Sequence, residues 1–110
     1  MPVLKVADLP FSNIAHEFVG ADHGGVGVCV IIVEAPPGRG PSLHTHPYEE
    51  TFIVQDGDVL FTVGERTVEA KAGDIVVVPA GTPHKFLSRG ATHRQISIHP
   101  VARMETEWLE

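Results

Sequence analysis

Residues His44 to Phe52 read HTHPYEETF, and residues Val78 to Phe86 read VPAGTPHKF. Each stretch sets histidine beside a proline turn at the head of a β-type run. Alternation along an extended chain sends His44 and His46 to one side, and beyond the bend at Pro47 the next strand sends Glu50, Phe52 and Val54 to a common face. Two imidazoles and a carboxylate then converge. His84, after the turn Pro79-Ala80-Gly81-Thr82-Pro83, sits where a fourth ligand would close the set. Three neutral nitrogens and one anionic oxygen suit one divalent transition metal ion (Fe, Mn, Ni, Cu, Co or Zn) and suit Mg or Ca poorly. Glu49 has the opposite strand parity to Glu50 and is expected to face solvent.

Outward from these stretches the chain is punctuated at short, regular intervals. Runs of β type cover Thr51 to Val54, Val59 to Val63, Thr67 to Ala70, Ile75 to Val78, His84 to Leu87 and Arg94 to His99. Between them, QDGD offers Asp56-Gly57 for a tight hairpin, VGER a turn at Gly64, and KAGD and PAGTP two more. Short strands at this spacing predict an all-β sandwich or barrel. The segment Val26 to Ala35, VGVCVIIVEA, is apolar on both strand faces, so the side turned from the main core needs a cover, from the N-terminal arm or from a second copy of the chain. A homodimer is expected on that ground, with Ile31 assigned to the outer face.

The two stretches together resemble the motifs of the cupin superfamily. The first motif, G-x5-HxH-x3-E-x6-G, is matched by Gly38, His44, His46, Glu50 and Gly57; the second, G-x5-PxG-x2-H-x3-N, by Gly73, Pro79, Gly81 and His84, with Ser88 where the pattern has asparagine. The resemblance covers roughly Val26 to His99 and implies an antiparallel jelly-roll barrel with little helix and a metal held by His44, His46, Glu50 and His84. It implies no single reaction, because the family holds dioxygenases, isomerases, decarboxylases, sugar-binding modules and storage proteins. The expected organisation is an N-terminal arm over residues 1–25, a barrel over 26–100, and a tail over 101–110 that packs on the barrel as a short helix or an extended segment.

Composition narrows the partners. With 110 residues and a formal net charge of -6, no run of Lys and Arg is available to attract phosphate backbones, so nucleic acid is not an expected partner. No segment is long and apolar enough to span a bilayer, and the first residues lack an uninterrupted signal-peptide core, which with the single Cys29 favours a cytoplasmic setting.

The expected function is a metal-dependent enzyme of oxygenase type acting on a small chelating organic substrate. The alternatives are a non-catalytic small-molecule or metal-binding module and a metal-dependent isomerase or decarboxylase. In the last strand, RQISIHP, either Ile96 and Ile98 or the set Gln95, Ser97 and His99 faces the interior. If the polar set does, Gln95 and Ser97 line the substrate pocket and His99 is the candidate proton-transfer group. Phe52 and Phe86 share faces with Glu50 and His84 and would shape the pocket wall, and Tyr48, in the motif loop, would reach either solvent or the cavity mouth, where it would contact substrate. His16, His23 and His93 match no ligand spacing, and Cys29 reads as an inert buried thiol.

Overall fold

Burial alternates along the strand from Glu50 to Val63, and the alternation changes phase halfway: Glu50, Phe52 and Val54 point inward, and so do Val59 and Phe61. A single extra residue is needed to move the inward set from even to odd positions, and a β-bulge supplies it. The computed structural model describes residues 3–110 and shows this strand running unbroken through Asp56-Gly57, with register irregularities between Val54 and Asp56 and between Asp56 and Asp58. The tight hairpin expected at Asp56-Gly57 is therefore absent. Gly57 (φ 93°) instead marks a close passage, where an added Cβ would stand 2.2 Å from the carbonyl oxygen of Thr92.

Numbered in chain order, the strands are β1 (Phe11–Ser12), β2 (Ala15–Val19), β3 (Cys29–Ala35), β4 (His44–Thr45), β5 (Glu50–Val63), β6 (Arg66–Lys71), β7 (Ile75–Val78), β8 (His84–His99) and β9 (Glu107–Trp108). Single turns of 3-10 helix at Val6–Asp8 and Gly20–Asp22 are the helical content among the described residues. None is long and apolar enough to cross a membrane.

The two long strands, β5 and β8, lie antiparallel along their whole length, from Thr51↔Ile98 to Val63↔His84. Each changes phase at its middle; β8 turns His84, Phe86 and Ser88 inward before the change and His93, Gln95, Ser97 and His99 after it. One end of the pair is extended by β3, β2 and β1 on one side and β7 on the other, and the other end by β4 and β9 and by β6. The result is an all-β antiparallel jelly-roll barrel. Its apolar filling is Phe52, Val54, Val59, Phe61, Ala70, Val76, Val78 and Phe86, joined by Val33, Ala35, Ile14 and Ala15. Residues 11–19 of the N-terminal segment enter the sheet through β2, and the tail is extended, with Trp108 opposite His44.

On β3 the inward set is Cys29, Ile31, Val33 and Ala35, opposite His99, Ser97, Gln95 and His93 of β8. Ile31 thus faces in, which corrects the outward assignment; the parity of an all-apolar run is decided by its neighbours and cannot be read from the run itself. The outward set forms two cross-strand rows, Ile75–Ile53–Ile96–Ile32 and Val77–Thr51–Ile98–Val30, with Phe18 of β2 ending the second. Ile75 is 64% and Val77 59% exposed.

Candidate metal centre

The site is built from the first residues of β4, β5 and β8, which closure of the barrel brings together. His44 is the first residue of β4 and pairs directly with His84, the first residue of β8; Glu50 opens β5. His46 follows β4, and its carbonyl accepts from the amide of Gly81 at 2.8 Å, which binds the HTH stretch to the PAGTP turn. Ser88, in the place of the motif asparagine, ties the two motifs together further down: its hydroxyl donates to the carbonyl of Pro36 at 2.8 Å and accepts from the amide of Arg39 at 3.0 Å.

All four expected ligands are buried, with His44 the most exposed at 7%, and one ligand atom of each lies within 4.8 Å of the others. Each imidazole is oriented by a backbone carbonyl: Nδ1 of His44 donates to Ser42 at 2.7 Å, Nδ1 of His46 to Glu105 at 2.6 Å, and Nδ1 of His84 to Thr82 at 2.9 Å. With the ring proton committed to Nδ1, each neutral ring presents the lone pair of Nε2. Two of these nitrogens approach Glu50 Oε1, at 2.9 Å from His84 and 3.2 Å from His46, and His46 Nε2 has no aligned hydrogen-bond partner. Lone pairs and a carboxylate oxygen cannot face one another in a buried site without a cation between them, either protons or a metal. The donor set therefore fits a divalent transition ion on chemistry as well as spacing. Glu49 is exposed, as its parity requires.

The electrostatics follow from burial opposed by hydrogen bonds. Burial works to raise the Glu50 carboxyl, but the facing imidazoles of His46, His84 and His99 prevail and hold it far below the usual carboxylate range. For His46 burial works downward, and the facing Glu50 carboxylate and the hydrogen bond to the Glu105 carbonyl outweigh it, so its pKa is raised from 6.5. His44 is lowered, by burial first.

The other oxygen of Glu50 is held separately. Ser97 Oγ donates to Oε2 at 2.5 Å, and His99 Nε2 lies 3.0 Å from the same oxygen and 2.9 Å from Ser97 Oγ. The Tyr48 hydroxyl meets His99 Nδ1 at 2.8 Å, and burial pushes that phenol up to about 12. When the phenol donates to Nδ1, the remaining imidazole proton sits on Nε2, aimed at Glu50.

A cavity of about 360 Å³ opens beside this cluster. Of the expected pocket residues, Phe52, Phe86, Ser97 and His99 line it. Tyr48 is buried behind His46 and His99, stacked on His46 with ring centroids 5.0 Å apart. Gln95 is fully buried and takes its hydrogen bond from His93 at 2.9 Å, deeper in the barrel. The remaining wall was not anticipated: Ile14, Ala15 and Glu17 from the N-terminal segment, Ile31 and Val33 from β3, and Met104, Thr106 and Trp108 from the tail. Trp108 also packs on His44, with ring centroids 5.0 Å apart. The expectation that the tail packs on the barrel did not identify these side chains, because strand pairings from both ends of the chain bring them to the mouth.

Comparison with known proteins is consistent with this architecture. A family model described as a cupin domain matches residues 31–96. An uncharacterized protein of Methanocaldococcus jannaschii is 34% identical over 90 residues, which cover 76% of this chain and 72% of that one. Among solved structures, a Klebsiella pneumoniae protein with a double-stranded beta-helix domain superposes with a TM-score of 0.78 at 21% identity, over 100% of this chain and 98% of that one. Oxalate decarboxylase of Bacillus subtilis superposes with a TM-score of 0.80 at 21% identity, over 94% of this chain and 30% of that one.

Proposed function

The chain belongs to the cupin family, and from that premise we propose that it is a metal-dependent enzyme, of oxygenase type, acting on a small chelating organic substrate. The observation that carries the reading is the gathering of three carbonyl-oriented imidazoles and the Glu50 carboxylate, with one ligand atom of each within 4.8 Å of the others, beside an open cavity. His44, His46, Glu50 and His84 are the proposed ligands of one divalent transition ion. When bound, the ion would supply Lewis acidity and open coordination positions for exogenous ligands. Mn is among the candidates, since the fold is shared with the oxalate decarboxylase of Bacillus subtilis, which carries Mn(II) centres.

The chain's own residues do the rest. Phe52 and Phe86, both buried, give the cavity an apolar wall that disfavours water beside the cluster. Ser97 and His99 hold the outer oxygen of Glu50, so that its inner oxygen faces the imidazoles. His99 Nε2 is the proposed proton-transfer position, and Tyr48, protonated throughout the neutral range, keeps that ring oriented.

A second reading is a binding module without turnover. It is favoured by the engagement of both nitrogens of His99, which leaves no free acid-base group at the cluster. An isomerase or decarboxylase is the further alternative. We further propose a homodimer formed through the outward rows around Ile75 and Val77, and a cytoplasmic setting. The functional test is anaerobic loading with Fe(II), Mn(II), Ni(II) or Cu(II), followed by O2 uptake with diketones, enols, flavonols and keto acids. Turnover with one metal is the expected result. No turnover, together with recovery of a bound compound unchanged, would replace the enzyme with the binding module.

A further inference from the structure

The cavity wall carries a carboxylate that the ligand cluster does not use. Glu17 lies on β2 with the same parity as Ala15, and its cross-strand partner is Ile31, whose own partner on β8 is Ser97. These three residues form one inward row that leads from the mouth to the serine holding Glu50. Two sheet spacings put the Glu17 and Ser97 backbones about 10 Å apart. The Glu17 side chain has neither an ion pair nor a side-chain hydrogen bond among the described residues, and no Lys or Arg lines the cavity. The whole chain adds a net charge of -6. An anionic substrate tail that reached Glu17 would meet an unpaired carboxylate there. Ile14, Ile31, Val33 and Met104 give the cavity an apolar wall, beside the neutral polar side chains of Ser12, Asn13 and Thr106.

We propose that Glu17 is the specificity-determining residue of this pocket, selecting a chelating ligand with an apolar body and a cationic or hydrogen-bond-donating tail over chelators with an acidic tail. This rests on the metal-centre reading above. The chelating head would be held at the cluster and the tail would reach the carboxylate across the apolar wall. Discrimination arises from attraction of a cationic tail and repulsion of an anionic one at Glu17, with no Lys or Arg among the residues that line the cavity, so both the favoured and the disfavoured tail are determined by one side chain.

The test uses three catechols that share one chelating head: dopamine, ethylcatechol and dihydrocaffeate, with ammonium, methyl and carboxylate tails. Binding to the Zn(II)-loaded protein under nitrogen is followed by calorimetry and by the fluorescence of Trp108, the chain's single tryptophan, which lines the cavity. Dopamine is expected to bind at least about tenfold tighter than dihydrocaffeate, Glu17→Gln to bring the two within about threefold, and Glu17→Lys to invert the order. The isosteric glutamine variant decides the matter if the lysine variant fails to fold. Equal binding in the wild type, a preference for dihydrocaffeate, a preference that survives Glu17→Gln, or binding of none of the three overturns the inference. Failure to take up Zn(II) overturns it together with the metal-centre reading. Absence of O2 uptake with the preference intact removes only the oxygenase.

Discussion

Ser97 Oγ stands 2.5 Å from Glu50 Oε2, while Glu50 Oε1 stands 2.9 Å from His84 Nε2, so the two oxygens of one carboxylate are committed to different tasks. The outer oxygen is anchored to β8, and the inner one is left to the imidazoles. Ser97→Ala removes the anchor without touching a proposed ligand. It should weaken metal binding by about tenfold, as loss of an outer hydrogen bond to a ligand commonly does, with little change in thermal stability. Competition with a chromogenic chelator measures it; unchanged affinity would show that the tether does not orient Glu50.

Glu50→Gln should abolish tight metal binding, and Glu49→Gln should leave it within about twofold of the wild type, because Glu50 is buried among the imidazoles and Glu49 is exposed. Elemental analysis after dialysis against a metal buffer compares the two. The reverse outcome would exclude Glu50 as a ligand.

Protons and metal compete for the same nitrogens, and the direction of each shift sets the pH window. The pKa of His46 is raised from 6.5, so the stability its protonated form contributes is complete below 6.5 and is lost as pH rises through the folded value. That of Glu50 is depressed, so its contribution is present above 4.5 and is lost as pH falls toward its folded value. A metal ion replaces the lost proton at higher pH. The rise in Tm caused by Zn(II) or Mn(II) should therefore be larger at about pH 8 than at about pH 6, and affinity should begin to fall above pH 6.5 on acidification. A metal-induced shift that is independent of pH over this range would contradict the assignment.

Ile75 and Val77 sit side by side on the outer face of β7, at the ends of two apolar rows that cross the sheet. The wild type should sediment as a dimer at tens of micromolar, an order typical of such assays, and Ile75→Glu should yield a monomer with the barrel intact by circular dichroism. A wild-type monomer would remove the dimer proposal.

Gly57→Ala should destabilise the barrel by at least about 2 kcal/mol, since the new methyl group meets the Thr92 carbonyl and the backbone there holds a positive φ. Chemical denaturation measures it. A neutral effect would mean that the β5–β8 crossing can widen at no cost.

The sequence alone determined the barrel's turns at Gly64, Gly73 and Gly81, the all-β class and the four residues that converge on one point, while the antiparallel jelly roll was what the resemblance to cupins implied. Those features rest on local chemistry: glycine and proline at turns, alternation along a strand, and fixed spacing around two short motifs. The tertiary structure decided what depends on neighbours remote in sequence. Asp56-Gly57 has the composition of a hairpin, but β8 runs beside it and Thr92 fills the space, so the chain bulges and continues. The inward direction of Gln95, Ser97 and His99 is decided by the phase change in β8, and that of Ile31 by its pairing with Ser97. The cavity wall is further still from local reading, because Glu17 and Trp108 come from opposite ends of the chain and meet the cluster only through hydrogen-bonded pairing with β3 and β4. Local propensity specifies which residues can turn or extend; which faces become interior is a property of the closed barrel, where each strand's parity is set by the strand beside it.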